Sequence, residues 1–313
     1  MHGASGSPAV EATGAAGASR PSRARAWLHA CRFPTLTAAV VPVLVGSALA
    51  WRHGVWHPAA ALAALIGATA IQLGTNFAND LYDYEKGADP VERIGPPRVL
   101  AQGWLTPAEI RNGMIGAFAI AAMAGLYLVR VGGWPVIAIG VASILAGIGY
   151  TAGRFALAYH ALGDVAVYVF FGFVAVLGTY YVQAHRLHPE AVLAAISVGA
   201  LATAILVVNN IRDIDTDRAA GKRTLAVILG RGGARAEYLA LLIAAYAVPL
   251  GLWAQGFRGA WILLPFATAS LAGRALYLVR EREDGSSLNR ALLDTARLHA
   301  VFGVLFAVGI ALG

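Results

Sequence analysis

Long runs of apolar residues, nearly free of charge, alternate along the chain with short polar segments. The first two runs read LTAAVVPVLVGSALAW and AALAALIGATAIQLGTNF. A helix of about 20 apolar residues spans roughly 30 Å of hydrocarbon, so runs of this length are typical of membrane spans. The pattern predicts nine membrane-spanning helices, at about 35–51, 59–81, 111–130, 134–151, 163–183, 190–209, 236–254, 258–279 and 289–312.

The composition supports this prediction. Of the 313 residues, 58% are hydrophobic and only 13% are charged, whereas soluble domains carry about 25% charged residues. So few charged groups could not cover a water-soluble globule. The sequence therefore predicts an all-α, multi-spanning membrane protein. Its single cysteine, Cys31, excludes an intrachain disulfide.

The first 26 residues are small and polar, and they lack the apolar core of a secretory signal. We expect a disordered tail over 1–26 and one transmembrane domain over 27–313. Arginines of the tail, with Arg32, either lie against anionic headgroups or are simply solvated, and the sequence leaves both open.

The distribution of basic residues predicts an orientation. With the N-terminus inside, only Arg52, Arg130, Arg186 and Arg258 fall on the outer side, and only Arg274 and Arg297 fall within spans. The other Lys and Arg residues lie inside, which agrees with the positive-inside rule for the cytoplasmic membrane. The net charge of +7 is then explained by membrane topology, and nucleic-acid binding is not required to explain it.

Two acidic clusters interrupt the apolar pattern. NFANDLYDYEKGADPVE (76–92) ends the second span, and VVNNIRDIDTDRAAGKRTLAVILG (207–230) ends the sixth. At 100° per residue, each cluster projects one stripe of oxygen atoms from a helix end. The two stripes are Asn76, Asp80 and Asp83, and Asn209, Asp213 and Asp217. Asp215 points elsewhere and is expected to pair with Arg212 or Arg218.

Carboxylates near a bilayer normally face a cavity, a partner or an ion. Carboxylate and amide oxygens suit a hard cation such as Mg²⁺, which often binds through substrate phosphates as well. Basic residues follow both clusters, and they could bind a diphosphate between two facing helix ends. The alternative is a set of helix caps, salt bridges and topological arginines. The matching spacing also suggests a weak internal repeat, which chance could produce.

The two clusters resemble the aspartate-rich signatures of the UbiA superfamily of intramembrane aromatic prenyltransferases. NDLYDYEKGADPVERIGPPRVLAQGWLTP and NNIRDIDTDRAAGKRTLAV are similar to the 1,4-dihydroxy-2-naphthoate polyprenyltransferases within it, as is the ending LNRALLDTARLHAVFG. The resemblance covers nearly everything after the tail. It implies nine helices around a central cavity, with Mg²⁺ and diphosphate at its cytoplasmic opening.

The resemblance also implies roles for individual residues. The predicted metal ligands are Asn76, Asp80, Asp83, Asp213 and Asp217. With the neighbouring basic residues, the predicted diphosphate-binding set is Asn76, Asn79, Lys86, Arg93, Arg98, Arg154, Asn209, Arg212, Lys222 and Arg223. Many relatives carry an acid where this chain has Gly87, and Asp89 is the nearest substitute.

A further resemblance lies in YTAGRFALAYHALGD (150–164), which is similar to the Tyr-x-x-x-Lys loop of some superfamily members. Tyr150 is grouped with the four aspartates Asp80, Asp83, Asp213 and Asp217 as catalytic, because its ring face could stabilise a cation. Asp164 could orient the acceptor. Arg154 occupies the position of the lysine.

The implied function is an Mg²⁺-dependent transfer of a polyprenyl group from a prenyl diphosphate to 1,4-dihydroxy-2-naphthoate, with decarboxylation to demethylmenaquinone. Two alternatives remain open at this point. One is a prenyltransferase of the same type that acts on another aromatic acceptor. The other is a membrane transporter, because repeated halves and polar helix ends also occur in transporters.

Overall fold

The computed structural model describes residues 21–87, 95–257 and 259–313. Within these ranges the chain is helical, and its only β-bridge joins His160 to Arg223. The α-helices are α1 (Arg23–Cys31), α2 (Phe33–Arg52), α3 (Pro58–Glu85), α4 (Pro107–Gly132), α5 (Pro135–Gly149), α6 (Gly163–Val167), α7 (Ala175–Ala184), α8 (Pro189–Arg212), α9 (Ile214–Ala219), α10 (Leu225–Ala254), α11 (Ala269–Glu281) and α12 (Gly285–Leu312).

Eight helical segments of the described chain are long and apolar enough to cross a membrane. Two of them are composite. A π-helical segment, Tyr168–Val174, joins α6 to α7, and a 3₁₀ segment, Ala260–Thr268, leads into α11. The remaining predicted span, 134–151, corresponds to α5, which has 15 residues and is about 22 Å long. That length is short of the hydrocarbon core, so the fold class is confirmed but the count of nine is not.

The helix starts follow from local sequence. Proline occupies the first position of α3, α4, α5 and α8, where its missing N–H costs no hydrogen bond and its fixed φ suits a helix. Ahead of α4, the Thr106 hydroxyl accepts from the Glu109 N–H while the Glu109 carboxylate accepts from the Thr106 N–H. This reciprocal capping box ends the loop that follows the first acidic cluster.

The start of α1 differs from the prediction for the tail. Residues 1–20 lie outside the described chain, but Arg23–Ala26 are helical, where the sequence predicted a tail to residue 26. Ala26 and Ala30 are buried, and Trp27 packs edge-on against Phe77 of α3 at 5.6 Å between ring centroids. The apolar face of α1 therefore docks beside the first acidic cluster.

The main core surrounds α8, which packs against α10, α12 and the π-helical segment. Small residues allow the closest approach. A side chain at Gly172 would lie 2.9 Å from the Gly199 Cα and 2.7 Å from the Ala195 carbonyl oxygen. Small residues at such contacts are typical of helix packing in membranes. The tight packing fixes α8, and therefore the second acidic cluster at its end.

Candidate active site

Asp80 lies near the end of α3 and is only 2% exposed. Two guanidinium groups hold its Oδ1 atom. Arg98 Nη1 donates to it at 2.7 Å, and Arg32 Nη2 donates to the same oxygen. The sequence predicted Arg98 at this site, but it placed Arg32 in headgroups or solvent, and that prediction is wrong. Arg32 lies in the turn between α1 and α2 with a left-handed φ of 49°.

Asp83 joins the two acidic clusters. Lys222, which follows the second cluster, places its Nζ 3.4 Å from Asp83 Oδ1. The Tyr159 hydroxyl donates to the same oxygen at 3.2 Å, and Arg98 Nη2 lies 3.9 Å from the other oxygen. The end of α3 and the segment after α8 therefore meet in space, although about 130 residues separate them in sequence.

Tyr159 contacts basic residues that follow both acidic clusters. Its ring makes cation–π contacts with two ammonium groups, with Lys86 Nζ at 4.3 Å and Lys222 Nζ at 5.1 Å from the centroid. Its backbone carbonyl accepts from the Arg223 N–H at 3.3 Å. Lys86 also donates to the Thr151 carbonyl at 2.5 Å. Cation–π contacts of this kind hold lysines in place without neutralising their charge.

The second cluster is organised around Arg212. Its Nε and Nη2 bind both oxygens of Asp213, at 2.7 and 2.6 Å. Nη2 also donates to Asn209 Oδ1 and Nη1 donates to Asn289 Oδ1, both at 2.8 Å. Arg212 and Asp213 are both buried. Arg212 was predicted to bind diphosphate, and in this structure it fixes the orientation of Asp213 and connects α8 to α12.

The turn after α9 returns the chain toward α3. The Lys222 N–H donates to the carbonyl of Asp217 at 2.8 Å, and Gly221 supplies the left-handed φ of 72° that this turn requires. Asp217 itself is partly exposed. Asp215 points away and lies 3.6 Å from Arg218 and 2.7 Å from Arg231, so the predicted pairing with Arg218 is confirmed.

The remaining predicted residues occupy three kinds of position. Asn76 donates to the Cys31 carbonyl and to Thr35 Oγ1, so it fastens the α1–α2 turn to α3. Asn79 accepts from the Thr151 hydroxyl at 3.0 Å. The side chains of Arg154 and Arg223 are exposed. Two predicted positions, Arg93 and Asp89, lie outside the described residues.

An apolar cavity of about 200 Å³ begins beside these polar groups. Helices α2 to α5 and the span from α6 to α7 line it. Tyr150, Gln72 and Thr75 lie near one end, and Val136, Leu128 and Val182 near the other. Phe170 and Phe171 of the π-helical segment add aromatic surface. The lining residues extend from Ala64 to Thr75 of α3, so the cavity runs along the helices.

Tyr150 stands between the cavity and the charged groups. Its low-polarity surroundings raise the pKa of its phenol, and the nearby carboxylates of Asp164, Asp83 and Asp217 raise it further. A phenol with an ordinary pKa of about 10 is already neutral at physiological pH, and this shift favours the neutral form further. Because Asp83 and Asp217 come from different clusters, both clusters lie within electrostatic reach of this one side chain.

The donor atoms fit a hard divalent cation by type, because the acidic groups of both clusters offer carboxylate oxygens. They do not form a preassembled metal site among the described residues, since side-chain cations hold Asp80, Asp83 and Asp213. Metal binding would therefore exchange these partners. The freed Arg and Lys groups would then face the phosphate oxygens that accompany the metal.

Tyr159, Asn289 and Arg32 are the site residues that sequence reasoning missed. Tyr159 lies within the 150–164 stretch that resembles the family loop, and its place in that stretch was the available signal. Arg32 was visible only as one more basic residue flanking a span, which topology already explains. Asn289 is a polar residue near the start of the last span, and only the fold brings it to Arg212.

The comparisons with known proteins agree with this architecture. A model described as the UbiA prenyltransferase family matches residues 39–311. The chain is 38% identical over 297 residues to the 1,4-dihydroxy-2-naphthoate octaprenyltransferase of Escherichia coli (strain K12), covering 92% of this chain and 96% of the relative. It is 30% identical to the enzyme of the same name from Bacillus subtilis (strain 168), covering 88% and 89%.

Solved structures show the same fold. The apo structure of a UbiA homolog from Aeropyrum pernix K1 superposes with a TM-score of 0.68 at 17% identity, covering 86% of this chain and 96% of that one. A UbiA homolog from Archaeoglobus fulgidus bound to GPP and Mg²⁺ gives a TM-score of 0.63 at 14% identity, covering 92% and 100%.

Proposed function

The chain belongs to the UbiA prenyltransferase family, and we propose that it transfers a polyprenyl group from a prenyl diphosphate to 1,4-dihydroxy-2-naphthoate. The names of its similar relatives support this acceptor. The observation that carries the proposal is the ion pair between Lys222 and Asp83, which joins the two acidic clusters beside an apolar cavity. Family membership favours this enzyme over a transporter.

In the proposed reaction, the bond between the allylic carbon and the diphosphate oxygen breaks, and the electron pair leaves with the diphosphate. The ring carbon that bears the carboxylate supplies an electron pair and bonds to the allylic carbon. The carboxylate departs as CO₂, and its bonding pair stays in the ring, which becomes aromatic again. The product is demethylmenaquinone in its quinol form. Bound Mg²⁺ would neutralise the leaving diphosphate.

We assign metal binding, phosphate binding and exclusion of water to different residues of the chain. Asp80, Asp83, Asp213 and Asp217 would hold the metal, as in the sequence prediction. Arg32, Arg98 and Lys222 would turn to the phosphate oxygens and stabilise the charge that develops on them. The apolar cavity would hold the prenyl chain and exclude water from the allylic cation.

The proposed location is the cytoplasmic membrane, with the N-terminus and the site facing the cytoplasm. The excess of Lys and Arg on the side of the acidic clusters supports this orientation. Both the prenyl chain and the product partition into lipid, so a membrane-embedded site gives access to substrate and release of product in the same phase.

A product analysis tests the proposal. Purified protein is incubated with Mg²⁺, a polyprenyl diphosphate and one acceptor in each reaction. The acceptors are 1,4-dihydroxy-2-naphthoate, 4-hydroxybenzoate and homogentisate, and the products are identified by mass spectrometry. We expect prenylated, decarboxylated naphthoquinol as the main product, and no product after chelation of Mg²⁺. Preferential prenylation of another acceptor would contradict the proposed substrate while leaving the reaction type intact.

Tyr150 gives a second expectation about this reaction. A desolvated cation–π interaction contributes up to about 2 kcal/mol. If the ring of Tyr150 makes this contact only with the allylic cation, that energy corresponds to roughly 30-fold in rate. We therefore expect Tyr150→Phe to keep kcat within about threefold and Tyr150→Ala to lower it by about 30-fold. Single-turnover rates measure both. Equal losses in the two variants would show that the hydroxyl, and not the ring, is what matters.

A further inference from the structure

A cluster of two histidines and a glutamate lies at the end of the bundle opposite to the acidic clusters. His53 follows α2, while His188 and Glu190 begin α8. His53 Nε2 is 2.9 Å from Glu190 Oε2, and His188 Nδ1 is 4.0 Å from the same oxygen. One potential ligand atom from each residue lies within 4.8 Å of the other two. The three side chains come from the end of α2 and the start of α8, which are distant in sequence.

The orientation of His53 is fixed from the other side of its ring. The Tyr180 hydroxyl lies 2.7 Å from Nδ1, and Tyr180 is fully buried in α7. A hydrogen bond to one ring nitrogen that directs the other toward a ligand position is the usual arrangement around metal-binding histidines. In this structure the other nitrogen, Nε2, faces the carboxylate of Glu190.

The cluster is accessible, although its polar atoms already have local partners: His188 Nδ1 accepts from the Glu190 N–H at 3.3 Å as the cap of α8. The side chains of His53, His188 and Glu190 are 15%, 38% and 24% exposed, so an ion could enter from the aqueous phase. Arg52 is the neighbouring cation, with Nε 3.6 Å from Glu190 Oε2, and its guanidinium stacks on Phe257 at 3.7 Å. That stacking holds Arg52 beside the carboxylate, where an ion would compete with it for Glu190 Oε2.

We propose that His53, His188 and Glu190 bind a divalent transition-metal ion of the Zn²⁺ class. Two imidazole nitrogens and one carboxylate form a ligand set typical of zinc, with a further position left for water. Mg²⁺ prefers oxygen ligands and would not compete for the two nitrogens. The ion would tie the α2–α3 loop to the α7–α8 loop. This site is independent of the prenyl transfer proposed above.

Metal titration of the whole protein tests the proposal. Protein purified without a histidine tag is stripped with a chelator, and Zn²⁺ is titrated by calorimetry in excess Mg²⁺. Co²⁺ serves as a coloured probe of the ligand geometry. We expect one saturable equivalent of Zn²⁺, and a higher unfolding temperature in its presence because the ion binds only the folded state. Absence of saturable binding in the wild type would overturn the proposal.

Variants then assign the ligands. His53→Gln and His188→Gln are expected to lose the saturable equivalent, and Tyr180→Phe is expected to weaken it by about tenfold through loss of orientation. His185→Gln, a change in the same loop outside the cluster, is the matched control and should bind like the wild type. Unfolding temperatures measured without metal separate loss of a ligand from loss of the fold. Unchanged binding in both cluster variants would also overturn the proposal.

Discussion

Replacing Asp80 with asparagine is expected to lower kcat by about 10³-fold while the protein still inserts into the membrane. Asparagine keeps the size of the side chain but removes the charge that would hold the metal, and electrostatic stabilisation of a developing charge is commonly worth this much. Asp80 is buried, with Arg32 and Arg98 on one of its oxygens. Prenyl transfer measured at saturating substrate and Mg²⁺ tests the expectation.

The matched control is Asp215→Asn. Asp215 lies in the second acidic cluster and is 71% exposed in its side chain, with Arg218 and Arg231 as partners. Loss of an exposed ion pair costs little, so activity should stay near that of the wild type. If both variants lost activity equally, the loss would reflect the total negative charge of the clusters, and the assignment of Asp80 as a metal ligand would be rejected.

The convergence of the two acidic clusters predicts how substitutions in both of them combine. If Asp80 and Asp217 act on one shared assembly, each single substitution already removes its function, and the double variant should be hardly slower than either. Groups that act as one unit show this non-additivity, whereas independent sites would multiply their losses. Purified Asp80→Asn, Asp217→Asn and double variants, assayed together, distinguish the two cases.

The membrane fold could be predicted from sequence because hydrocarbon imposes a strong and local rule. A span must be long, apolar and internally hydrogen-bonded, and eight of the predicted runs satisfy that rule in the structure. The exception, α5, is bounded by Pro135 and by the loop after Gly149. The predicted span extended to residue 151 because the sequence stays apolar to that point, and hydropathy does not indicate where a helix ends.

The acidic clusters were equally visible in sequence, because carboxylates at the ends of apolar runs are unusual. Their partners were harder to predict. Side chains such as Arg32 and Asn289 reach the site through turns and helix packing that no local pattern encodes. Arg212 was predicted as a diphosphate ligand, whereas its bidentate bond to Asp213 depends on the exact end of α8 and could not be predicted.

Filling the apolar cavity should change which prenyl chains the protein accepts. Gly140 lines the cavity, and a Cβ atom built there meets no other atom within 4 Å. It lies ten residues before Tyr150, which is about 15 Å along α5. A geranyl chain is shorter than this distance, and an octaprenyl chain is longer. A phenylalanine at 140 would therefore obstruct only the long chain.

We expect Gly140→Phe to retain transfer from geranyl diphosphate and to lose at least about 100-fold in kcat/KM for octaprenyl diphosphate, because the excluded part of the chain forfeits about 0.8 kcal/mol for each buried CH₂. Gly116→Phe is the control, since Gly116 is exposed on α4, outside the cavity lining, and also has open space around it. Rates with both diphosphates give the ratio for each variant. An unchanged ratio in Gly140→Phe would show that the prenyl chain follows another route, and the cavity would then need a different occupant.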